Sequence, residues 1–327
     1  MLLVQTPVLG TPAWMWLVFL GIVALLLVLD LGVLHKHQRQ IGVRESLALS
    51  MGYVSVALLF GAGVWWAMGA TNGMAYFTGF LVEKSLSMDN VFVIALIFTH
   101  LDIPRQYQHR VLFWGILGAI LLRAIMIGVG AALVSRFSWV LYLFGAFLMF
   151  TGVRMWITAD RLPNVANNAL LLQFLGRRLR VGSEVKGKAF FVRLTDPMTG
   201  RAALWTTPLF LALCLVEFVD LLFAVDSVPA IFAITRDPFI VYTSNVFAIL
   251  GLRALYFALA AVIPRFRYLK FALALVLVFI GVKTAIEGIV GKLPSIVSLS
   301  VTFALIAGGV MASLWKTRSA PLAVCQR

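Results

Sequence analysis

Cysteine and histidine are scarce in this 327-residue chain, with two of the first and four of the second. Cys214 lies inside an apolar run and Cys325 lies near the C-terminus, without the CxxC or Cys/His spacing of a zinc or redox site. A disulfide scaffold is therefore excluded. His35, His37, His100 and His109 all fall at the ends of apolar runs, so imidazole sites for zinc, copper or nickel are not expected at their centres. Charge is sparse as well, at 12% of residues, and only 13 are acidic. No GxSxG, HExxH or P-loop spacing occurs, which argues against hydrolase or nucleotide chemistry. Neither an enzyme nor a bound cofactor is expected.

Apolar residues fill the gap. They make up 62% of the chain, mean hydropathy is +0.99, and runs of eighteen or more recur from end to end. Such runs are long enough to cross a bilayer. The expected fold is all-α, a polytopic transmembrane bundle of about nine spans near 13–34, 46–68, 73–99, 110–134, 138–157, 206–234, 239–263, 268–288 and 295–315. The first run has no basic residue before it and no small-residue cleavage site after it, so it reads as a retained span. The net charge of +14 raises the question of nucleic acid, but position answers it. Twenty Lys and Arg lie in connections on one side and three, Arg136, Arg236 and Lys292, on the other. That bias predicts an outward N-terminus and a cytoplasmic C-terminus, with the lipid bilayer and not nucleic acid as the partner.

The third to fifth spans resemble the sixth to eighth. Leu81-Val82-Glu83 matches Leu215-Val216-Glu217, Asp89-Asn90 resembles Asp226-Ser227, and Leu122-Arg123-Ala124 matches Leu252-Arg253-Ala254. Arg136-Phe137 pairs with Arg265-Phe266, and Gly152-Val153-Arg154 with Gly281-Val282-Lys283. A three-helix unit is odd, so its second copy lies upside down, the inverted 3+3 plan of secondary transporters. The expected divisions are two N-terminal helices over 1–70, a first repeat over 71–157, a loop over 158–204, a second repeat over 205–290, and a last helix with a tail over 291–327. Within the loop, LLLQFLGRRLR reads as a basic amphipathic helix on the inner leaflet, and AFFVRLTDPMTGRAALW as a hairpin.

Five carboxylates lie within the third and sixth spans: Glu83, Asp89, Glu217, Asp220 and Asp226. Each costs about 2.5 to 3.5 kcal/mol at a helix centre, so they must face protein or a wet cavity. On an unbroken helix Glu217 and Asp220 share a face while Asp226 lies opposite, and Pro229 predicts a bend that swings Asp226 toward them. Ser85, Ser87 and Asn90 offer further oxygens in the third span, and Ser227 in the sixth. Against Lys84, Arg123 and Arg253 the acids leave a formal excess of about two negative charges, which one divalent cation would neutralise. Carboxylate, amide and hydroxyl oxygens suit Mg²⁺, Ca²⁺ or Mn²⁺. The predicted metal ligands are Glu83, Asp89, Asn90, Glu217, Asp220, Asp226 and Ser227. A competing reading pairs Arg123 with Glu83 or Asp89, and Arg253 with an acid of the other repeat, simply to hold the bundle together. Asp30, near the cytoplasmic end of the first span, suits a structural or entrance role.

The segments LVEKSLSMDNVF and FVDLLFAVDSVPAIFAITRDPFIVYTSNVFAILGLRALYF closely resemble the TerC/Alx family of bacterial inner-membrane proteins. The likeness takes in DLGVLHKH and the central hairpin, covering roughly residues 13 to 315. Met88 and Val228 stand where Val and Ile are common. The resemblance implies manganese export from the bacterial inner membrane, with protons as one candidate counter-ion. It also leaves open a membrane partner that helps assemble or metallate exported proteins, or an accessory to tellurium resistance.

Overall fold

The computed structural model describes residues 7–8, 10–35, 43–137, 139–158, 189–195, 202–259, 269–290 and 294–317. Among them the chain forms ten helices: α1 (Ala13–His35), α2 (Val43–Met68), α3 (Ala70–His100), α4 (Arg105–Arg136), α5 (Val140–Thr158), α6 (Pro208–Phe232), α7 (Pro238–Leu250), α8 (Leu252–Leu259), α9 (Leu269–Val290) and α10 (Ser295–Thr317). The only strands among these residues are two short antiparallel pairs, β1 (Pro7–Val8) with β2 (Thr11–Pro12) and β3 (Phe191–Thr195) with β4 (Ala202–Thr206). The fold is all-α. The expected amphipathic segment in LLLQFLGRRLR and the turn joining β3 to β4 lie outside the described residues, whereas the two strands of the expected hairpin are present.

Prolines start several helices where their missing amide is harmless. Pro208 and Pro238 occupy first-turn positions, and the Asp237 carboxylate accepts the Phe239 amide at 2.9 Å to cap α7. Among the described residues, seven helical stretches are long and apolar enough to cross a membrane by length and composition, including Ala13–Asp30 and Arg105–Arg136. α3 and α9 fall outside that set. Between them they carry Glu83, Lys84, Asp89, Lys270, Lys283 and Glu287. Leu17, Leu20, Leu25, Val28 and Leu29 of α1 are exposed, as are Leu121, Ile125 and Val129 of α4, a surface suited to acyl chains.

The stretch Pro238–Phe257 is different, since 94% of it is buried inside the protein. It forms the centre of the bundle. α3 packs along α7, α4 along α6, and α5 along α9, while α2 and α10 lie against α3. Phe19, Phe60, Tyr76, Phe239 and Phe247 interlock α1, α2, α3 and α7, with ring centroids 4.8 Å apart for Phe60 and Phe247. The α5–α9 contact is the tightest. A Cβ on Gly281 would stand 2.6 Å from the Gly145 carbonyl oxygen and 3.0 Å from the Met149 nitrogen. One on Gly152 would stand 2.8 Å from the Ala274 carbonyl oxygen and 3.1 Å from the Val278 nitrogen. Residue numbers rise along α5 as they fall along α9, so the two helices cross antiparallel.

One local expectation is corrected. α6 stays helical through Pro229 to Phe232, since proline removes only the bond to Val225 and the helix ends within a turn of it. The interruption falls instead in the seventh predicted span, at Gly251, which separates α7 from α8. Lys84 explains why glycine stands there. Its ammonium donates to the Ala248 carbonyl at 3.2 Å and lies 2.7 Å from where a Cβ on Gly251 would be.

Candidate functional site

Arg123 of α4 is fully buried at the meeting point of α3, α4, α6 and α7. A guanidinium carries five N–H donors in a rigid fork and stays protonated, so burying one demands acceptors on several sides. They come from three helices. Its Nη1 donates to Glu83 of α3, to Asn245 Oδ1 of α7 at 2.8 Å, and to Ser227 Oγ of α6 at 3.3 Å. Its Nη2 donates to Asp220 Oδ1 at 3.0 Å, and Nε to Asp220 Oδ2 at 3.4 Å. Two carboxylates thus share one cation, and the group as a whole retains one negative charge.

The face of α3 that reaches Arg123 continues with unusual chemistry. Glu83, Ser87 and Asn90 are spaced four and three residues apart, which stacks them along one side of a helix over roughly 10 Å. All three are buried, and Glu83 Oε2, Ser87 Oγ and Asn90 Oδ1 have no hydrogen-bond partner. Buried acceptors are normally satisfied, so a row of three is an exception that asks for a ligand. Thr11, Ser46 and Thr302 also keep unpartnered buried hydroxyls, singly, while others show the ordinary solution. Thr78 and Ser85 bond back to the carbonyls of Met74 and Leu81, and Thr243 and Ser244 to those of Phe239 and Ile240.

Of the predicted ligands, Glu83, Asp220 and Ser227 meet at Arg123, and Asn90 continues the α3 row. Glu217 stands apart, one turn before Asp220. Its carboxylate fills the space beside Gly118 of α4, and its Oε2 is also unpartnered. Ser85 is removed from the candidate oxygens by its bond to Leu81. Asp89 and Asp226 lie on α3 and α6, but their side chains, like that of Arg253, are outside the described residues. Among the described residues, no three His, Cys, Asp or Glu side chains are grouped to hold a metal. Arg123 does pair with Glu83, as the competing reading expected, and has Asp220 as a second partner. Asn245 was missed. Its signal was present as the one amide in PFIVYTSNVFAIL, a run otherwise suited to the core.

A multi-pass helical bundle with a buried ion-pair cluster at its centre defines an integral membrane protein whose polar interior is built, not incidental. The family profile described as integral membrane protein TerC matches residues 68–320. The chain belongs to the TerC family. It is 49% identical to an uncharacterized membrane protein of Myxococcus xanthus over 96% of both chains. It is 46% identical to another from Rickettsia bellii, over 91% of this chain and 96% of that one. An Escherichia coli relative, provisionally named membrane-bound redox modulator Alx, is 44% identical over 94% of this chain and 95% of its own. No solved structure matches the chain.

Proposed function

We propose that this protein exports a divalent metal ion, Mn²⁺ before others, across the bacterial inner membrane. The observation that carries the reading is the row of buried, unpartnered oxygens on α3, Glu83 Oε2, Ser87 Oγ and Asn90 Oδ1, beside a cluster with net negative charge. Such oxygens are hard donors, matched to Mn²⁺, Mg²⁺ or Ca²⁺ and mismatched to Cu(I) or zinc. The cation would pass along this face, with Asp89, Glu217 and Asp226 as further ligands and protons as counter-ion.

The scaffold proposed for this passage is the inverted 3+3 repeat. Exchanging α3 for α6, α4 for α7 and α8, and α5 for α9 turns the α3–α7 pair into α4–α6 and returns α5–α9 to itself, as a two-fold axis requires. Residues support the exchange individually. With Gly152 equivalent to Gly281, Gly145 corresponds to Ala274 and Met149 to Val278, so the two closest approaches in the α5–α9 crossing are images of each other. Because those helices cross antiparallel, the axis lies across them and one unit is upside down relative to the other, the plan that places transport sites between repeats.

Everted membrane vesicles containing the protein should accumulate Mn²⁺ in preference to Zn²⁺ or Cu⁺, and Glu83→Gln should abolish the uptake. Equal uptake by empty vesicles would overturn the proposal. The name of the Escherichia coli relative supplies a second reading, a redox role. In thiol form it would rest on Cys214 and Cys325. Mn²⁺ transport by the parent that persists in a Cys214→Ser/Cys325→Ser protein favours export, whereas a parent that transports no Mn²⁺ and a variant that loses a redox phenotype favour the alternative.

A further inference from the structure

The Nη1 atom of Arg123 collects a carboxylate oxygen from Glu83, an amide oxygen from Asn245 at 2.8 Å and a hydroxyl oxygen from Ser227 at 3.3 Å, each from a different helix. These are the donor types that a hard divalent cation takes, gathered around one positively charged nitrogen. We infer that Arg123 is a built-in competitor for the transported cation: its guanidinium holds the Glu83, Asn245 and Ser227 oxygens when no metal is bound, yields them on metal entry, and returns to expel the ion.

Three features support this exchange. Glu83 is 1% exposed, yet only one of its carboxylate oxygens is bonded, so the arginine leaves it half satisfied. A purely structural pair would be expected to close both oxygens, since an incompletely satisfied buried charge is costly. The bond inventory is also uneven. Asp220 receives two donors, from Nη2 and Nε, whereas Nη1 is divided among three acceptors. Asp220 can therefore keep the arginine in place by one edge while the Nη1 edge swings out of the cage. Charge closes the argument. Glu83, Asp220 and Arg123 together carry −1, so a divalent ion entering beside a retained arginine takes the cluster to +1, and an ionised Glu217, one turn before Asp220, returns it to zero. Asn245 thereby serves as a ligand to both occupants in turn, and its unpartnered Nδ2 shows that its oxygen is the end in use.

This inference rests on the export reading, and the experiment separates the two. Purified protein is titrated with Mn²⁺ alone, bound ion being followed by its paramagnetic resonance, and the same samples are assayed for Mn²⁺ transport in liposomes. Arg123→Gln should bind Mn²⁺ at least about tenfold more tightly than the parent, because the competitor is gone, while maximal turnover falls because nothing expels the ion. KM and kcat drop together. Arg123→Lys keeps a cation with fewer donors and less reach, and should tighten binding by a smaller factor. The double variant Arg123→Gln/Glu83→Gln keeps the parental net charge, and should bind no more tightly than the parent. Should Arg123→Gln fail to accumulate, Arg123→Lys decides the matter. Parental or weaker affinity in the folded single variant, with normal transport by the parent, would overturn the competitor role and leave export standing. A parent that neither binds nor transports Mn²⁺ would sink both.

Discussion

Gly281 approaches the backbone of Gly145 so closely that a methyl group on Gly281 would stand 2.6 Å from the Gly145 carbonyl oxygen. Backbone cannot step aside as a side chain can, so α5 and α9 must separate to admit even alanine. Gly281→Ala and its proposed counterpart Gly152→Ala should each lower stability by roughly 1 to 3 kcal/mol, the usual cost of overpacking. Thermal unfolding of purified protein in detergent should show similar losses for both, since the two crossings are alike. A loss at one position alone would count against the two-fold relation.

Gly251 offers the contrasting case. There the atom in the way is the tip of Lys84, at the end of a flexible chain. Gly251→Ala should leave stability within about 1 kcal/mol of the parent, because the lysine can withdraw. It would also break the bond to the Ala248 carbonyl, so transport should suffer more than folding. Comparing unfolding temperature with Mn²⁺ transport for this variant separates the two effects.

Asp89→Asn and Asp226→Asn should each abolish Mn²⁺ export in liposomes, while both proteins accumulate at parental levels, since an amide is cheaper than a carboxylate to insert. Asp30→Asn should do less harm, given its place near the C-terminal end of α1. Export at the parental rate by both central variants would show that these acids are not ligands.

Asp237 caps α7 outside the apolar stretch, and burial pushes its carboxyl above the usual carboxylate range despite the amide hydrogen bond from Phe239. A raised folded-state pKa means that folding favours the protonated form. Its contribution is present below the unfolded pKa of about 3.9 and is lost as pH rises through the higher folded value. Asp237→Asn keeps an acceptor oxygen for the cap but cannot ionise. The difference in unfolding temperature, variant minus parent, should therefore increase from acidic to neutral pH; a flat difference would refute the assignment.

Topology has a direct check. Reporter fusions in the 158–204 connection and after residue 317 should both read cytoplasmic, as the excess of Lys and Arg on that side requires. An outward reading at either would remove the inverted repeat.

Composition alone determined the class of this protein, because 62% apolar residues arranged in long runs admit no soluble packing. It also singled out the acids, whose cost within apolar helices announces a polar interior before any contact is seen. The Gly-Val-Arg and Gly-Val-Lys matches were likewise legible, since they are repeated words in one chain. Partnership was not. Arg123 and Asn245 are 122 residues apart, and only the packing of α4 against α7 brings an amide to that guanidinium. Whether Ser87 or Ser85 keeps a free oxygen depends on rotamer and neighbours, because any helical serine can turn back to the carbonyl one turn below. α6 stays helical past Pro229 to Phe232, while the interruption falls at Gly251, where the Lys84 ammonium arrives from α3. Local chemistry sets what each residue can cost or offer, and the tertiary fold alone sets which groups arrive to meet it.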